Sequence, residues 1–380
     1  MPVVNKFYSF IAIGLQYKLK QIKMKKNTII IGTGAYIPPN IVRNADFCQE
    51  RFYTEKQEPF TVENKEIIQK FYEITGIQER RYLDDDMKNS DMATEAAIEA
   101  IKDAGIDKET LDYIIVAHNF GDIKKNTIQT NILPSLASRV KYRLETNNPN
   151  CIAYDLIFGC PGWVQALIHA KSFIDSGLAN RILVIGSESL SRVLDMHDRD
   201  SMIYSDGAGA VILEGIHSPD KKGILGHAAQ SNTLNEAYYL YLGQSFMKDS
   251  DPAIRYIKMN GRKIYNYALT NVPVAMQKCL ENSGVHIDEV KKVFIHQANE
   301  KMDEAMILRF YKLFGQDEPP QYIMPMSIHK LGNSSVATVP TLFHLVKTGQ
   351  LENHVLNEGD VVLFASVGAG MNINAVAYKL

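Results

Sequence analysis

The 380-residue sequence predicts an α/β protein made of two similar halves, with mainly parallel sheets covered by helices on both faces. Three observations lead there. Short apolar runs alternate with helix-length stretches along most of the chain. A polar turn at Pro219-Asp220-Lys221-Lys222-Gly223 is followed by a second series of the same kind. The length also exceeds what one ordinary core supports.

Each element has its own reason. NTIIIGTGAYIP, from Asn27, reads as a buried strand ending in a Gly-rich turn, and Pro38-Pro39 stops it from continuing as a helix. Residues 44–73 are charged and helical in character, interrupted at Pro59. SDMATEAAIEAIKDAGID carries a serine cap, helix formers at helical spacing and a terminal glycine, so it predicts a helix, and LDYIIVAHNF predicts a strand. The alternation continues with NNPNCIAYDLIFGC (strand), PGWVQALIHAKSFIDSG (helix), RILVIGSESL (strand) and GAGAVILEG (strand). The second series comprises GILGHAAQS, a helix over residues 261–283, the strand KKVFIHQAN, a helix over 300–314, a helix from about Asn333, and the terminal strand pair VVLFASVGAGMNINAVAYKL. The expected division is a leading extension over residues 1–26, one half over 27–218 and another over 219–380.

Composition narrows the function. Hydrophobic residues make up 46% of the chain and charged residues 22%, with a formal net charge of −2, so neither nucleic acid nor an anionic membrane is expected as the main partner. Four scattered cysteines, without a CxxC pair or histidines at zinc-finger spacing, indicate no disulfide framework and no structural metal. Reduced thiols and a cytoplasmic location are the expectation. The leading segment has an apolar run too short to span a bilayer, its lysines mostly follow that run, and it lacks a small-residue cleavage site. A disordered or mispredicted extension, with Met24 as a start, fits it better than a signal peptide.

Three short motifs carry polar chemistry at the ends of apolar elements. Cys160, in DLIFGCPGWVQAL, stands between Gly159 and Gly162 where a strand turns into a helix that is apolar on most sides. Pro161 suits the first helical position, helix amino ends favour a thiolate, and the glycines permit a tight turn and close substrate approach. The same stretch also fits a small buried hydrophobic cysteine. His296, in VFIHQAN, lies just past a strand, where open α/β sheets place ligands and where structural histidines also occur. Asn333, in HKLGNSSVATVP, stands at a helix start and also reads as a simple N-cap.

Together, DLIFGCPGW, HQAN and GNSSVATVP, in that order and with IIGTGAYIP, TGIQER, YSDGAGAVIL and SVGAGMNINA around them, resemble the β-ketoacyl-acyl-carrier-protein synthase III family of thiolase-like condensing enzymes. The resemblance runs from about Asn27 to Leu380. It implies a thiolase-like fold, with two similar α/β halves and mainly parallel five-stranded sheets in layers. It further implies Cys160 as acyl-accepting nucleophile in one half, His296 and Asn333 as its partners in the other, and the backbone N–H groups of Cys160 and Ala369 as oxyanion donors. The reaction implied is decarboxylative Claisen condensation of an acyl thioester, delivered by coenzyme A or acyl carrier protein, with a malonyl thioester. A homodimer is implied, and the chemistry calls for neither a metal nor an organic cofactor. The order Cys, His, Asn also occurs in papain-like proteases. Against a protease stand a cysteine deep in the chain, a GNSS turn without a following tryptophan, and alternating strands and helices. A catalytically silent partner of a larger synthase is a further alternative.

The chain departs from the family's wording in places. Lys70 and Ile74 fall where coenzyme-A-using members carry a tryptophan and an arginine as a clamp. Arg199 matches a basic position near the coenzyme, Lys301 replaces an arginine after HQAN, and Arg262 and Lys263 extend a candidate carrier-docking patch, though all four also read as a solvated face. Leu133 falls where the partner subunit closes the acyl pocket, and it would permit a longer chain than an aromatic residue. His118 is a candidate for the entrance or a plain strand-end residue. Pro161-Gly162-Trp163 after the cysteine and the stretch AHNFGDIKKNTIQT also depart from the usual pattern, and both suggest a specialised condensing enzyme of secondary metabolism; one that joins two acyl-carrier substrates is the alternative reading.

Overall fold

The computed structural model describes residues 25–127 and 129–380. In chain order the strands are β1 (Lys25–Tyr36), β2 (Asn40–Arg43), β3 (Glu79–Tyr82), β4 (Tyr113–His118), β5 (Ile152–Ile157), β6 (Arg181–Ser189), β7 (Asp206–Ser218), β8 (Gly223–Ser231), β9 (Leu240–Gly243), β10 (Tyr256–Met259), β11 (Val290–Ile295), β12 (Val361–Gly368) and β13 (Asn372–Lys379). The helices are α1 (Asn64–Thr75), α2 (Asn89–Ala104), α3 (Leu136–Arg143), α4 (Gly162–Asp175), α5 (Gly261–Ser283), α6 (Glu300–Lys312), α7 (Ile328–Leu331) and α8 (Thr338–Lys347). The expected leading extension lies outside the described residues, apart from Lys25 and Lys26, which already pair with Ser218 and His217 in β1.

One sheet has five strands in the order β1-β7-β6-β4-β5 and the other has four, β11-β12-β13-β8. The expectation of mainly parallel, five-stranded sheets holds for the strand number of the first sheet and needs correction for that of the second and for strand direction. In the first, β4 is parallel to β5 and β6, but β7 is antiparallel to β6 and to β1. In the second, only β11 and β12 are parallel, while β13 is antiparallel to β12 and β8. The antiparallel strands misled because helices cover both of their faces. β7 opens with eight buried residues in succession and β13 holds six, the continuous apolar reading that otherwise marks parallel strands. The sequence β4-β6-β7-β1 (parallel, antiparallel, antiparallel) has the same directions as β11-β12-β13-β8, which is the internal similarity the element order suggested.

Helices α4 and α8 lie between the sheets. Their core joins Trp163, Leu167 and Phe343 to Val184 and Val211 of one sheet and to Phe294, Phe364 and Val376 of the other. This position explains why α4 is apolar on most sides, with only Ser172 and Asp175, near its C-terminal end, exposed. The Trp163 ring meets Phe364 edge-on at 5.5 Å, and losing such a buried aromatic costs about 3 to 5 kcal/mol. Helices α2 and α3 cover the outer face of the first sheet, α5 and α6 that of the second.

Helix α2 starts at Asn89, with Lys88 as cap, so Ser90 lies inside it; the Ser90 hydroxyl donates instead to Asp122 at 2.7 Å. Its end, Gly105 at φ 62°, is where the sequence put it. Arg80, in the TGIQER motif, is fully buried and acts as a brace: it donates to the Met202 and Val42 carbonyls and to Asn44 Oδ1. The segment before α1 is thereby tied to the chain that leads into β7.

Candidate active site

Cys160 sits between the end of β5 and the start of α4. Gly159 turns the chain at φ +69°, and the Pro161 carbonyl already accepts from the Gln165 N–H at 2.9 Å. Helix α4 is assigned from Gly162, which makes Pro161 its cap residue and places Cys160 just ahead of the amino end. The loop between β12 and β13 presses directly on this turn. A Cβ on Gly368 would lie 2.5 Å from the Cys160 backbone nitrogen, and one on Gly159 would lie 2.9 Å from that of Ala369. The two glycines let two backbones approach closer than any side chain allows, and the Cys160 and Ala369 amides come together there.

His296 follows β11, its backbone N–H donating to the Ala365 carbonyl at 2.9 Å. Asn333 is clamped to the segment before β7: its N–H donates to Ile203 O at 3.0 Å, and its carbonyl accepts from the Ser205 N–H at 2.8 Å. Asn333 Oδ1 is turned back to accept from the Ser335 N–H at 2.8 Å, so the amide nitrogen is the group left to present. Ser335 takes an unusual left-handed backbone, φ +54°. The strain has a use: Ser335 touches all three expected residues, through its hydroxyl to Cys160 Sγ at 3.3 Å, its N–H to Asn333, and its backbone beside the His296 ring. Sequence reasoning passed over Ser335, although the doubled serine after Asn333 was in view. It also missed Glu188 and Asn119, which lie behind Ser335. A charged residue inside the apolar run RILVIGSESL was the available signal.

Burial dominates the electrostatics. It drives the His296 imidazole down to about 4, leaving a neutral ring that carries a single N–H. Its Nδ1 has no hydrogen-bond partner among the described residues. Burial likewise pushes the Cys160 thiol up to about 11; the Ser335 hydroxyl opposes this and the Glu188 charge adds to it. The sequence led to a thiolate favoured by the helix end, whereas in the folded chain desolvation outweighs the favourable groups and the resting sulfur holds its proton.

The three residues line one cavity of about 240 Å³ with an apolar wall that includes Leu240 and Leu242 of β9, and Ile257 and Met259 of β10. Those two short strands come from a stretch that the sequence left unassigned. An outer groove of about 760 Å³ shares Met259, Ile264, Ala298, Met302 and Asn333 with the cavity, so the two are continuous. Of the expected substrate or carrier residues, Arg199 and Arg262 line this groove, together with Lys70 and Ile74. Arg199 stacks its guanidinium on Phe60 at 5.2 Å. Lys263 stands over the Tyr239 ring at 5.3 Å, and neither it nor the exposed Lys301 is part of the groove wall. Leu133 is 88% exposed and lines neither space within one chain. His118 is fully buried between Asp155, at 2.9 Å, and the Gly121 N–H, so it is structural rather than a residue of the entrance. Among the described residues no group of His, Cys, Asp and Glu is arranged to hold a metal ion, and no helix is long and apolar enough to cross a membrane.

Comparison with known proteins shows the family. The family model for 3-oxoacyl-[acyl-carrier-protein] synthase III matches residues 154–233, and that for the C-terminal part of the same enzymes matches 280–380. A β-ketoacyl-[acyl-carrier-protein] synthase III of Staphylococcus aureus (strain Newman) is 32% identical over 354 residues, covering 93% of this chain and 99% of its own. The crystal structure of a 3-oxoacyl-[acyl-carrier-protein] synthase III from Aquifex aeolicus superposes with a TM-score of 0.75 at 31% identity, covering 93% of this chain and 100% of that one. The priming β-ketosynthase of the R1128 polyketide pathway has the same fold, with a TM-score of 0.75 at 24% identity over 94% of this chain and 97% of its own. The chain belongs to the 3-oxoacyl-[acyl-carrier-protein] synthase III family, the thiolase-like enzymes that form a carbon–carbon bond by acyl transfer.

Proposed function

We propose that Cys160 accepts the starter acyl group and that His296 and Asn333 then drive decarboxylation of a malonyl thioester. The observation that carries this reading is the convergence of a thiol, two side-chain donors and a pair of backbone amides on one apolar cavity. Cys160 sulfur attacks the thioester carbonyl, the Cys160 and Ala369 N–H groups hold the oxyanion, and the departing thiolate takes the thiol proton. The malonyl carbonyl oxygen then lies against the neutral His296 ring and the Asn333 amide. Loss of carbon dioxide leaves an enolate, whose carbon attacks the acyl-cysteine and expels the Cys160 thiolate. The product is a 3-oxoacyl thioester. A donor of this kind contributes about 3 kcal/mol to the transition state.

The cavity supports a starter of medium length. A dry cavity of about 150 Å³ takes benzene, or about 25 Å³ per carbon. At about 240 Å³, with part occupied by the reacting carbonyls, the space suits roughly six to eight carbons. Leu133 and Ile132, exposed beside the edge strand β5 with its uncovered Ile152 and Ile157, support a homodimer in which Leu133 closes the partner's acyl pocket. The arginines and Lys70 in the groove suit an acidic carrier protein or a coenzyme phosphate. With Lys70 and Ile74 where coenzyme-A-using members carry their clamp, the reading that both substrates arrive on carriers is the second one retained. The division into halves at residues 218 and 219, a cytoplasmic setting and a reduced working thiol belong to the same proposal.

Intact-mass measurement after incubation with acyl-coenzyme A and acyl-carrier thioesters of two to twelve carbons tests it. The expected result is one acyl adduct, greatest near six to eight carbons and absent from Cys160→Ala. An adduct that survives Cys160→Ala moves the nucleophile elsewhere, and no adduct with any thioester leaves the chain a silent partner.

A further inference from the structure

Behind Cys160 runs a buried polar chain that the condensation steps leave unused. Glu188, near the end of β6, is fully buried and forms no ion pair among the described residues. Its Oε2 accepts from the Asn119 backbone N–H at 2.8 Å and from Asn119 Nδ2 at 2.6 Å. Its Oε1 has no partner among the described residues. Asn119 Nδ2 also lies 3.2 Å from Ser335 Oγ, which in turn lies 3.3 Å from Cys160 Sγ.

Hydrogen-bond chemistry gives this chain a direction. Glu188 Oε2 accepts, so Asn119 must turn its NH2 group, and not its oxygen, toward it. The second hydrogen of that group goes to Ser335 Oγ. Ser335, already an acceptor there, has one proton left, and it points at the sulfur. A donor to sulfur favours the thiolate, whereas the Glu188 charge beyond it favours the thiol. A buried carboxyl without an ion pair costs stability, a cost that the two hydrogen bonds from Asn119 offset only in part.

We propose that Glu188 is a positioning residue for the nucleophile: through Asn119 it fixes the Ser335 hydroxyl as donor to Cys160, while its own charge restrains the thiol. The acidity of Cys160 is then set by two opposed members of one chain. The other titratable groups facing it are His118 from β4, which favours the Glu188 charge, Asp206 from β7, which disfavours it, and the Tyr204 phenol, which lies near the sulfur. Burial with these neighbours brings Glu188 up to about 7, so the restraint changes near neutral pH. The proposal rests on Cys160 being the acyl acceptor, but alkylation kinetics test it without any acyl substrate. Failure of acyl loading would therefore be a separate result.

The experiment follows the rate of Cys160 alkylation by iodoacetamide against pH, by peptide mass, in the wild type, Ser335→Ala and Glu188→Gln. Glutamine still accepts from Asn119 but carries no charge. The two variants should move in opposite directions at pH 8: Ser335→Ala about five- to tenfold slower, Glu188→Gln about five- to tenfold faster. In the wild type the logarithm of the rate should bend near pH 7, and the bend should vanish in Glu188→Gln. Shifts in the same direction, or a Glu188→Gln profile that overlays the wild type, overturn the proposal. Should Glu188→Gln fail to fold, a wild-type profile without the bend overturns it alone.

Discussion

The inner cavity and the outer groove meet at Met259, Ile264, Ala298, Met302 and Asn333, yet they are built in opposite ways. Around Cys160 every polar group is buried, strained or pinned by a neighbour, and two backbones touch where a Cβ has no room. In the groove, Lys70 and Arg199 are more than half exposed, and among the described residues each pairs only with a nearby acid or ring. Under the proposed function, the difference teaches where specificity would be stored: the chemistry in geometry that tolerates no change, the delivery of substrate in long-range charge that tolerates a good deal.

The sharpest ways to break that contrast lie in the cavity. Cys160→Ala should abolish acyl loading and condensation, read by intact mass and product formation. His296→Ala or Asn333→Ala should lower malonyl decarboxylation about 100- to 1000-fold while leaving acyl loading of Cys160 in place; wild-type decarboxylation rates would remove both from the mechanism. Gly368→Ala drives a Cβ into the Cys160 backbone and should cost about 2 to 3 kcal/mol in chemical denaturation, together with loss of loading.

A pH experiment sharpens the same contrast. His296 stands at about 4 in the fold against an ordinary 6.5, so the unfolded chain takes the proton first, and its contribution is present above pH 6.5 and lost as pH falls toward 4. Glu188, at about 7 against an ordinary 4.5, does the reverse: its contribution is present below pH 4.5 and lost as pH rises through 7. The two offset each other between pH 4.5 and 6.5. Urea midpoints taken across that window should therefore fall more steeply with acid in Glu188→Gln than in the wild type, and less steeply in His296→Asn. The smallest effect belongs to the groove. Arg199→Ala or Arg262→Ala should raise KM for a carrier-bound substrate by about two- to fivefold, with kcat unchanged and the difference shrinking in salt.

Much of this contrast was legible before any coordinates. Cys160, His296, Asn333 and Ala369 are all named by short motifs at the ends of apolar runs, because strand ends and helix starts are where a packed α/β interior opens. Strand direction was harder to see: β7 and β13 are covered on both faces, and apolar continuity does not distinguish an enclosed antiparallel strand from a parallel one. Ser335 escaped because its role depends on a backbone angle, φ +54°, that a serine does not announce. Glu188 and Asn119 are sixty-nine positions apart and meet only through β4 and β6. The groove residues were the least legible, since exposed lysine and arginine look alike whether they bind a partner or only water.

The close approach of the Gly159-Cys160 turn to Gly368-Ala369 has one more consequence. It joins the turn after β5 of one sheet to the loop after β12 of the other, so the pair of amides exists only while the two sheets are seated on each other. Neither sheet can carry half of the activity. Acyl transfer is thus a gauge of assembly: on gentle heating or in dilute denaturant it should fade when the sheets part, before either one melts.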